Sequence, residues 1–387
     1  MFKILTLNNI SPVGLERFPQ ERYEVGAELG SPDAILLRSF NMHDYVIPPS
    51  VRAVARAGAG VNNIPVARLS ERGIPVFNTP GANANAVKEL VLAGMFLGAR
   101  NICQAWRYVD SLQGDDDSLN EQVEAGKRQF VGFELPGRTL GVIGLGAIGV
   151  LVANAALRLG MRVVGYDPEL TVRRAWQLSS EVVQAQSVKD LLAQSDIVTI
   201  HVPLFEQTKD LINEDSIKNM RQGATLLNFS RQGIVSDEAV VGSLNDGNLN
   251  AYICDFPTVT LKHHQKVITL PHIGASTREA EENCAVMASR QLMDFLEDGN
   301  ITNSVNFPEV VMPRDSGARV ALVNANVPNM LGQISTTLAK ANLNIVDMLN
   351  KSRGELAYTL ADVEGTIPPK VLEELAAIDG VMSVRAL

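Results

Sequence analysis

The chain has 387 residues, 46% hydrophobic and 20% charged, as expected of an ordinary folded protein of two or three domains. Its net charge is −9 and its Lys and Arg residues are dispersed, which argues against nucleic acid as a partner. No apolar stretch reaches the ~18 residues of a membrane span, and the opening Met1–Leu7 run reads as a strand, not a secretory leader.

Lys3–Leu7, Ala34–Leu37, Val51–Arg56 and Val76–Asn78 read as four short strands. Turn clusters such as Ser31-Pro32-Asp33 and Ile47-Pro48-Pro49 separate them. Ala84–Arg100 is a long apolar helix with a broad face suited to packing between two domains. Gly114–Ser118 reads as an acidic surface loop. A second series of strands starts at Thr139–Ile143. It continues through Arg162–Tyr166, Ile197–His201, Ala224–Asn228, Ala251–Cys254 and Val267–Thr269. These are apolar without alternation, as parallel strands covered on both faces are. From about Ser316 the order changes. Arg319–Asn324, Leu343–Ser352, Leu356–Val363 and Val381–Ala386 read as strands, with helices at Asn329–Ala341 and Pro369–Ala377. That βαββαβ order predicts a small ferredoxin-like domain. The three cysteines, Cys103, Cys254 and Cys284, cannot all pair and lack metal-ligand spacing. A reducing cytoplasm is expected, and no metal site.

The strongest local signal follows the strand Thr139–Ile143. Gly144, Gly146 and Gly149 have the G-x-G-x-x-G spacing, Ala147–Leu159 reads as a helix, and Asp167 ends the next strand about twenty residues on. Gly144 permits the tight turn, Gly146 lets backbone approach a pyrophosphate, and Gly149 lets helix and strand pack closely. The amides at Ala147 and Ile148 open the helix and face the phosphates. Asp167 would accept from the ribose hydroxyls and repel a 2′-phosphate, which favours NAD over NADP.

Four segments, GLGAIG with Asp167, HVP at 201–203, NFSRQG at 228–233 and PHIGAST at 271–277, carry a resemblance to the D-isomer-specific 2-hydroxyacid dehydrogenases over residues 1–305. The tail resembles an amino-acid-binding ACT domain. The chain is most similar to members with such a tail that act on a phosphorylated 2-hydroxy or 2-keto acid. The resemblance implies two Rossmann-like doubly wound domains followed by the ACT domain. Residues 1–87 and 276–315 would bind substrate, 88–275 would bind NAD, and 316–387 would regulate. It also implies a homodimer or homotetramer.

By the same resemblance, His201, Val202, Pro203, Phe229, Ser230, Gly274 and Ala275 line the cofactor site. The reaction would be hydride transfer between C2 of the acid and the nicotinamide. Among five histidines, His43, His263 and His264 lie in polar loops, while His272 ends a strand at the edge where α/β sheets place chemistry. His272 is the expected acid/base, and Arg231 the carboxylate clamp. Family members usually carry a Glu that bonds the catalytic His; the matching position here is Val259. Asp255 is the nearest acid, expected to bind the nicotinamide carboxamide, to partner His272, or both.

Arg38-Ser39 matches a substrate-binding segment, although the family's second Arg is Phe40 here. The 56–63 run, Arg-Ala-Gly-Ala-Gly-Val-Asn-Asn, matches a loop whose amides, at Ala59 and Gly60 above all, hold the carboxylate. Asn85 is a further substrate candidate. In the tail, Asn326 and Asn344 would bind an amino acid such as L-serine, and Asn329 replaces a glycine at a position suited to left-handed backbone. Two other readings stand beside this one: a hydroxypyruvate or glyoxylate reductase of the same family, and a non-catalytic NAD(H)-sensing protein.

Overall fold

The computed structural model describes residues 1–314 and 317–387, and it divides into two compact units. The first comprises Met1–Asn83 with Arg278–Leu387, the second Ala84–Thr277. The boundary expected between 315 and 316 lies outside the described residues.

The first unit opens with a parallel sheet of β1 (Phe2–Leu7), β2 (Tyr23–Gly26), β3 (Ala34–Leu37), β4 (Ala53–Arg56) and β5 (Val76–Phe77), in the order β2-β1-β3-β4-β5. The expected four strands become five. β2 escapes the pattern because it is a short edge strand whose only buried residue is Tyr23. The core residues Ala34, Leu36, Ala53 and Ala55 pack with Ala288, Leu292 and Phe295 of the helix Arg278–Asp298.

The second unit is a seven-stranded parallel sheet: β6 (Thr139–Ile143), β7 (Arg162–Tyr166), β8 (Val183–Gln184), β9 (Ile197–Ile200), β10 (Ala224–Asn228), β11 (Leu249–Cys254) and β12 (Val267–Thr269). Its order is β12-β11-β10-β9-β6-β7-β8, so the chain reverses direction between β6 and β9. In open α/β sheets that reversal leaves a crevice at the strand carboxyl ends, where ligands bind. β6, β9 and β10 are buried throughout, which explains their unbroken apolar sequence. The acidic stretch is more than a loop. Asp115 caps a helix, Asp116–Gly126, by accepting from the Ser118 amide at 3.0 Å, and Asp116 and Asp117 occupy the first turn. Carboxylates there are favourable beside the positive helix end.

The tail returns to the first unit as an antiparallel sheet of β13 (Ala318–Ala325), β14 (Ile345–Arg353), β15 (Leu356–Val363) and β16 (Val381–Ala386), ordered β14-β15-β13-β16. Helices Met330–Lys340 and Pro369–Ala376 complete the βαββαβ pattern. Asn329 takes φ +63° at the start of the first, the left-handed geometry its sequence position suggested. Val323, Tyr358 and Leu360 of this sheet join the core around the 278–298 helix. Arg319, fully buried, pairs with Asp362 at 2.6 and 2.7 Å and donates to the carbonyls of Asp298, Met312 and Pro313. Tyr358 donates to the Gly299 carbonyl at 2.7 Å.

Candidate active site

In the second unit the glycine loop has the backbone its sequence requires. Gly144 sits at φ +90°, and a Cβ there would meet the His201 carbonyl at 2.7 Å. A Cβ at Gly149 would collide with the Gly144 carbonyl, whereas one at Gly146 would meet nothing. The open side of Gly146 and the helix start at Ala147, which no side chain caps, suit a pyrophosphate. Asp167 accepts from Leu145 N at 2.8 Å and Glu169 N at 2.9 Å, so its carboxylate is braced against the glycine loop. These residues fit NAD.

Beside this loop, Ser230 donates to the Val202 carbonyl, tying the NFSRQG turn to the HVP turn. Phe229 is buried, Val202 is partly buried, and Pro203 is exposed. His201 bonds Thr199 through Nε2 at 3.0 Å, while its buried Nδ1 has no partner among the described residues. Burial holds this imidazole down to about 3, so it is neutral and unsuited to proton transfer at ordinary pH.

Arg231 projects from the turn after β10, exposed, and its guanidinium donates to the Ser230 carbonyl at 2.7 Å. The buried Asn228 shapes that turn from both sides. Its Oδ1 accepts from Ser230 N at 3.1 Å and its Nδ2 donates to the Arg231 carbonyl at 3.0 Å. Asn228 is not among the site residues expected from the sequence; an amide closing the buried strand Ala224–Asn228 is the signal that marks it.

Asp255 is 1% exposed at the end of β11. One carboxylate oxygen accepts from Ile273 N at 2.9 Å, the other from Gly274 N at 2.8 Å. Between these amides and β12 lies His272, exposed, with φ +55°, a left-handed conformation uncommon for a non-glycine residue. Its ring stands edge-on to Phe256, centroids 5.2 Å apart, and forms no hydrogen bond among the described residues. Asp255 therefore holds the backbone that carries His272, not its imidazole. Val259, at the position of the family's Glu, is 94% exposed and carries no carboxylate. Ala275 follows, partly buried. A cavity of about 950 Å³ in the second unit, lined by Asp210, Lys218 and Asp246 among others, includes none of these side chains.

In the first unit Arg38 follows β3 and pairs with Glu281 at 2.7 Å, with Ser39 beside it. Phe40 packs edge-on against Tyr45 at 5.7 Å, filling an apolar role where a second arginine was sought. Ala59 and Gly60 lie in the loop after β4. Asn85 is engaged elsewhere, between Lys88 at 2.6 Å and Glu89 at 2.8 Å on the surface of its own helix. In the tail, Asn326 lines a pocket of about 220 Å³ with Asn324 and Asn350. Asn344 is not among that pocket's residues; its carbonyl accepts from Glu364 N at 3.0 Å.

A Rossmann sheet with an NAD-type glycine loop, and with an arginine, a buried aspartate and a histidine at its strand ends, defines an NAD-dependent dehydrogenase of hydroxy acids. A family model described as "D-isomer specific 2-hydroxyacid dehydrogenase, NAD binding domain" matches residues 92–274. The chain is 33% identical to D-3-phosphoglycerate dehydrogenase of Haemophilus influenzae, across 88% of this chain and 82% of that protein. It is 31% identical to D-3-phosphoglycerate dehydrogenase of Escherichia coli, across 85% and 79% respectively. The chain belongs to the D-isomer-specific 2-hydroxyacid dehydrogenase family. Its fold is shared with the NAD-bound 3-phosphoglycerate dehydrogenase of Entamoeba histolytica, with a TM-score of 0.60 and 24% identity over 79% of this chain and 98% of that one.

Proposed function

We propose that the protein oxidises D-3-phosphoglycerate to 3-phosphohydroxypyruvate, the step that commits phosphoglycerate to L-serine. The observation that carries this reading is the likeness to D-3-phosphoglycerate dehydrogenases over more than four-fifths of the chain. NAD, held at the Gly144–Gly149 loop and Asp167, would supply the hydride acceptor for the C2 hydrogen. His272 takes the hydroxyl proton as the carbonyl forms, and returns it in reverse. Arg231 binds the carboxylate through its planar fork and holds C2 in place. Asp255 keeps the 272–274 backbone in register. Arg38, with Ser39 beside it, offers a cation to the phosphate end. Asp167, with its carboxylate braced against the glycine loop, receives the adenosine ribose.

The oligomer proposed is a homodimer or a pair of such dimers. Ile102, Trp106 and Val109 share one face of the helix Ile102–Ser111 and are 45%, 66% and 55% exposed, a stripe that a second copy would cover. Among the described residues no helix is long and apolar enough to cross a membrane. The three cysteines are free, which suits the proposed cytoplasmic setting. The Asn326 pocket is proposed to take an amino acid such as L-serine.

The deciding assay follows NADH absorbance with 3-phosphohydroxypyruvate, hydroxypyruvate and glyoxylate. Preference for the first supports the reading. Preference for an unphosphorylated acid favours the reductase alternative, which the apolar packing of Phe40 keeps in view. No turnover, with NADH still bound, favours a sensor.

A further inference from the structure

The loop after β4 orders its backbone polar groups in one sense. Six successive carbonyls are taken by donors of the first unit. Gly58 O accepts from Thr79 N, Ala59 O from Asn78 Nδ2 at 2.6 Å, and Val61 O from Ile64 N. Asn62 O accepts from His43 Nε2 at 3.0 Å and Asn63 O from Met42 N. Gly60 O is taken by the Arg56 guanidinium. Among the described residues, the amides of Ala59, Gly60 and Val61 donate to no acceptor of the chain. Occupied carbonyls beside amides left over give this loop a surplus of donors, which favours an anion.

Arg56 is the side chain that closes this arrangement. Its Nη1 holds Gly60 O, and its Nε donates to the Arg38 carbonyl at 2.8 Å. One rigid fork therefore spans the tip of the loop and the end of β3, and fixes Arg38 relative to the free amides. Gly58 makes room for it: a Cβ at Gly58 would stand 2.8 Å from Arg56 Nη1. The left-handed region does not explain that glycine, because Gly58 is absent from the positive-φ glycines.

We infer that Arg56 is a positioning residue for substrate binding: its guanidinium holds the 58–61 loop so that three amides face the substrate carboxylate. This rests on the proposed function and on the carboxylate-binding role that the family resemblance implies for this loop. Grip on a carboxylate that does not change during reaction is uniform binding, so its loss raises KM and spares kcat.

The test compares Arg56→Lys, which keeps the charge but lacks the fork, with Gly58→Ala, which pushes the guanidinium aside. Both are assayed with 3-phosphohydroxypyruvate and glyoxylate, and NADH affinity is read by fluorescence. The expected result is a KM raised about tenfold for both acids in Arg56→Lys, and less but in the same direction in Gly58→Ala. NADH affinity and kcat stay near wild type. If Arg56→Lys does not fold, Gly58→Ala decides alone. Unchanged KM, or a rise confined to the phosphorylated acid, overturns the assignment. Wild-type protein that reduces neither acid instead overturns the proposed function.

Discussion

Asp255 and Gly274 are joined across the ends of neighbouring strands: the aspartate's Oδ2 accepts the glycine amide at 2.8 Å, while Oδ1 takes the adjacent Ile273 amide at 2.9 Å. A buried carboxylate satisfied by two amides is held firmly, and it holds the loop in turn. His272 sits immediately before that clamp in a conformation a free loop would seldom adopt. Asp255→Asn keeps one acceptor and sets an NH₂ against the other amide. It is expected to lower kcat by about a hundredfold, with NADH still bound and melting temperature within a few degrees. Retained kcat would show that the clamp is dispensable.

Burial of His201 is expected to make the folded protein acid-sensitive. Its imidazole is held at about 3 by burial when folded, against about 6.5 for an unperturbed histidine. Below pH ~6.5 the unfolded chain binds a proton that the folded chain refuses, so stability falls as pH drops toward 3, by a few kcal/mol in all. Above pH ~6.5 both states are neutral and the effect vanishes. Denaturant unfolding of wild type and His201→Asn at pH 7 and pH 4.5 reads this directly. The variant is expected to lose less stability between the two pH values, and equal losses would refute the attribution.

Arg319 and Asp362 form a fully desolvated pair that also serves three backbone carbonyls. Removing one partner strands the other's charge in the core. Arg319→Met or Asp362→Asn is expected to cost about 3–5 kcal/mol of folding stability, visible in urea melts. A loss under about 1 kcal/mol would mean that water reaches the site.

Glu281 neutralises Arg38 through a pair in which both side chains are two-fifths exposed. Such a contact is worth about 1 kcal/mol or less, yet a phosphate seeking Arg38 must compete with it. Glu281→Gln keeps a hydrogen-bond acceptor and removes the charge. The expected outcome is a KM for 3-phosphohydroxypyruvate lowered by up to about fivefold, with glyoxylate unaffected. A raised KM would assign Glu281 to orienting Arg38 instead.

The glycine loop, the helix after it and Asp167 were legible because their signals are local. Gly144 needs a backbone only glycine adopts freely, Gly149 must clear the Gly144 carbonyl, and the flanking strands are apolar for burial on both faces. The two-residue strand β8, Val183–Gln184, was not legible, because both residues are exposed and two residues show no period. The capping role of Asp115 was hidden in a run of acids whose composition alone says only that it is solvated.

The amino-acid order alone was enough to set the glycine-rich strand–loop–helix unit and to bring Arg231, Asp255 and His272 to strand ends, since each follows an apolar run that reads as a buried strand. What it could not set were pairings between residues distant along the chain. Asp255 could have faced the His272 ring; the fold turns it onto two amides instead. Arg56 reads as one more loop cation until Arg38 and Gly60 present their carbonyls to it. Arg319 and Asp362 lie on separate strands, and only antiparallel pairing of β13 with β15 makes them neighbours. Local propensity is written in adjacent residues. A buried polar group's partner is chosen by whichever strand the fold sets beside it, and desolvation makes that choice costly to change.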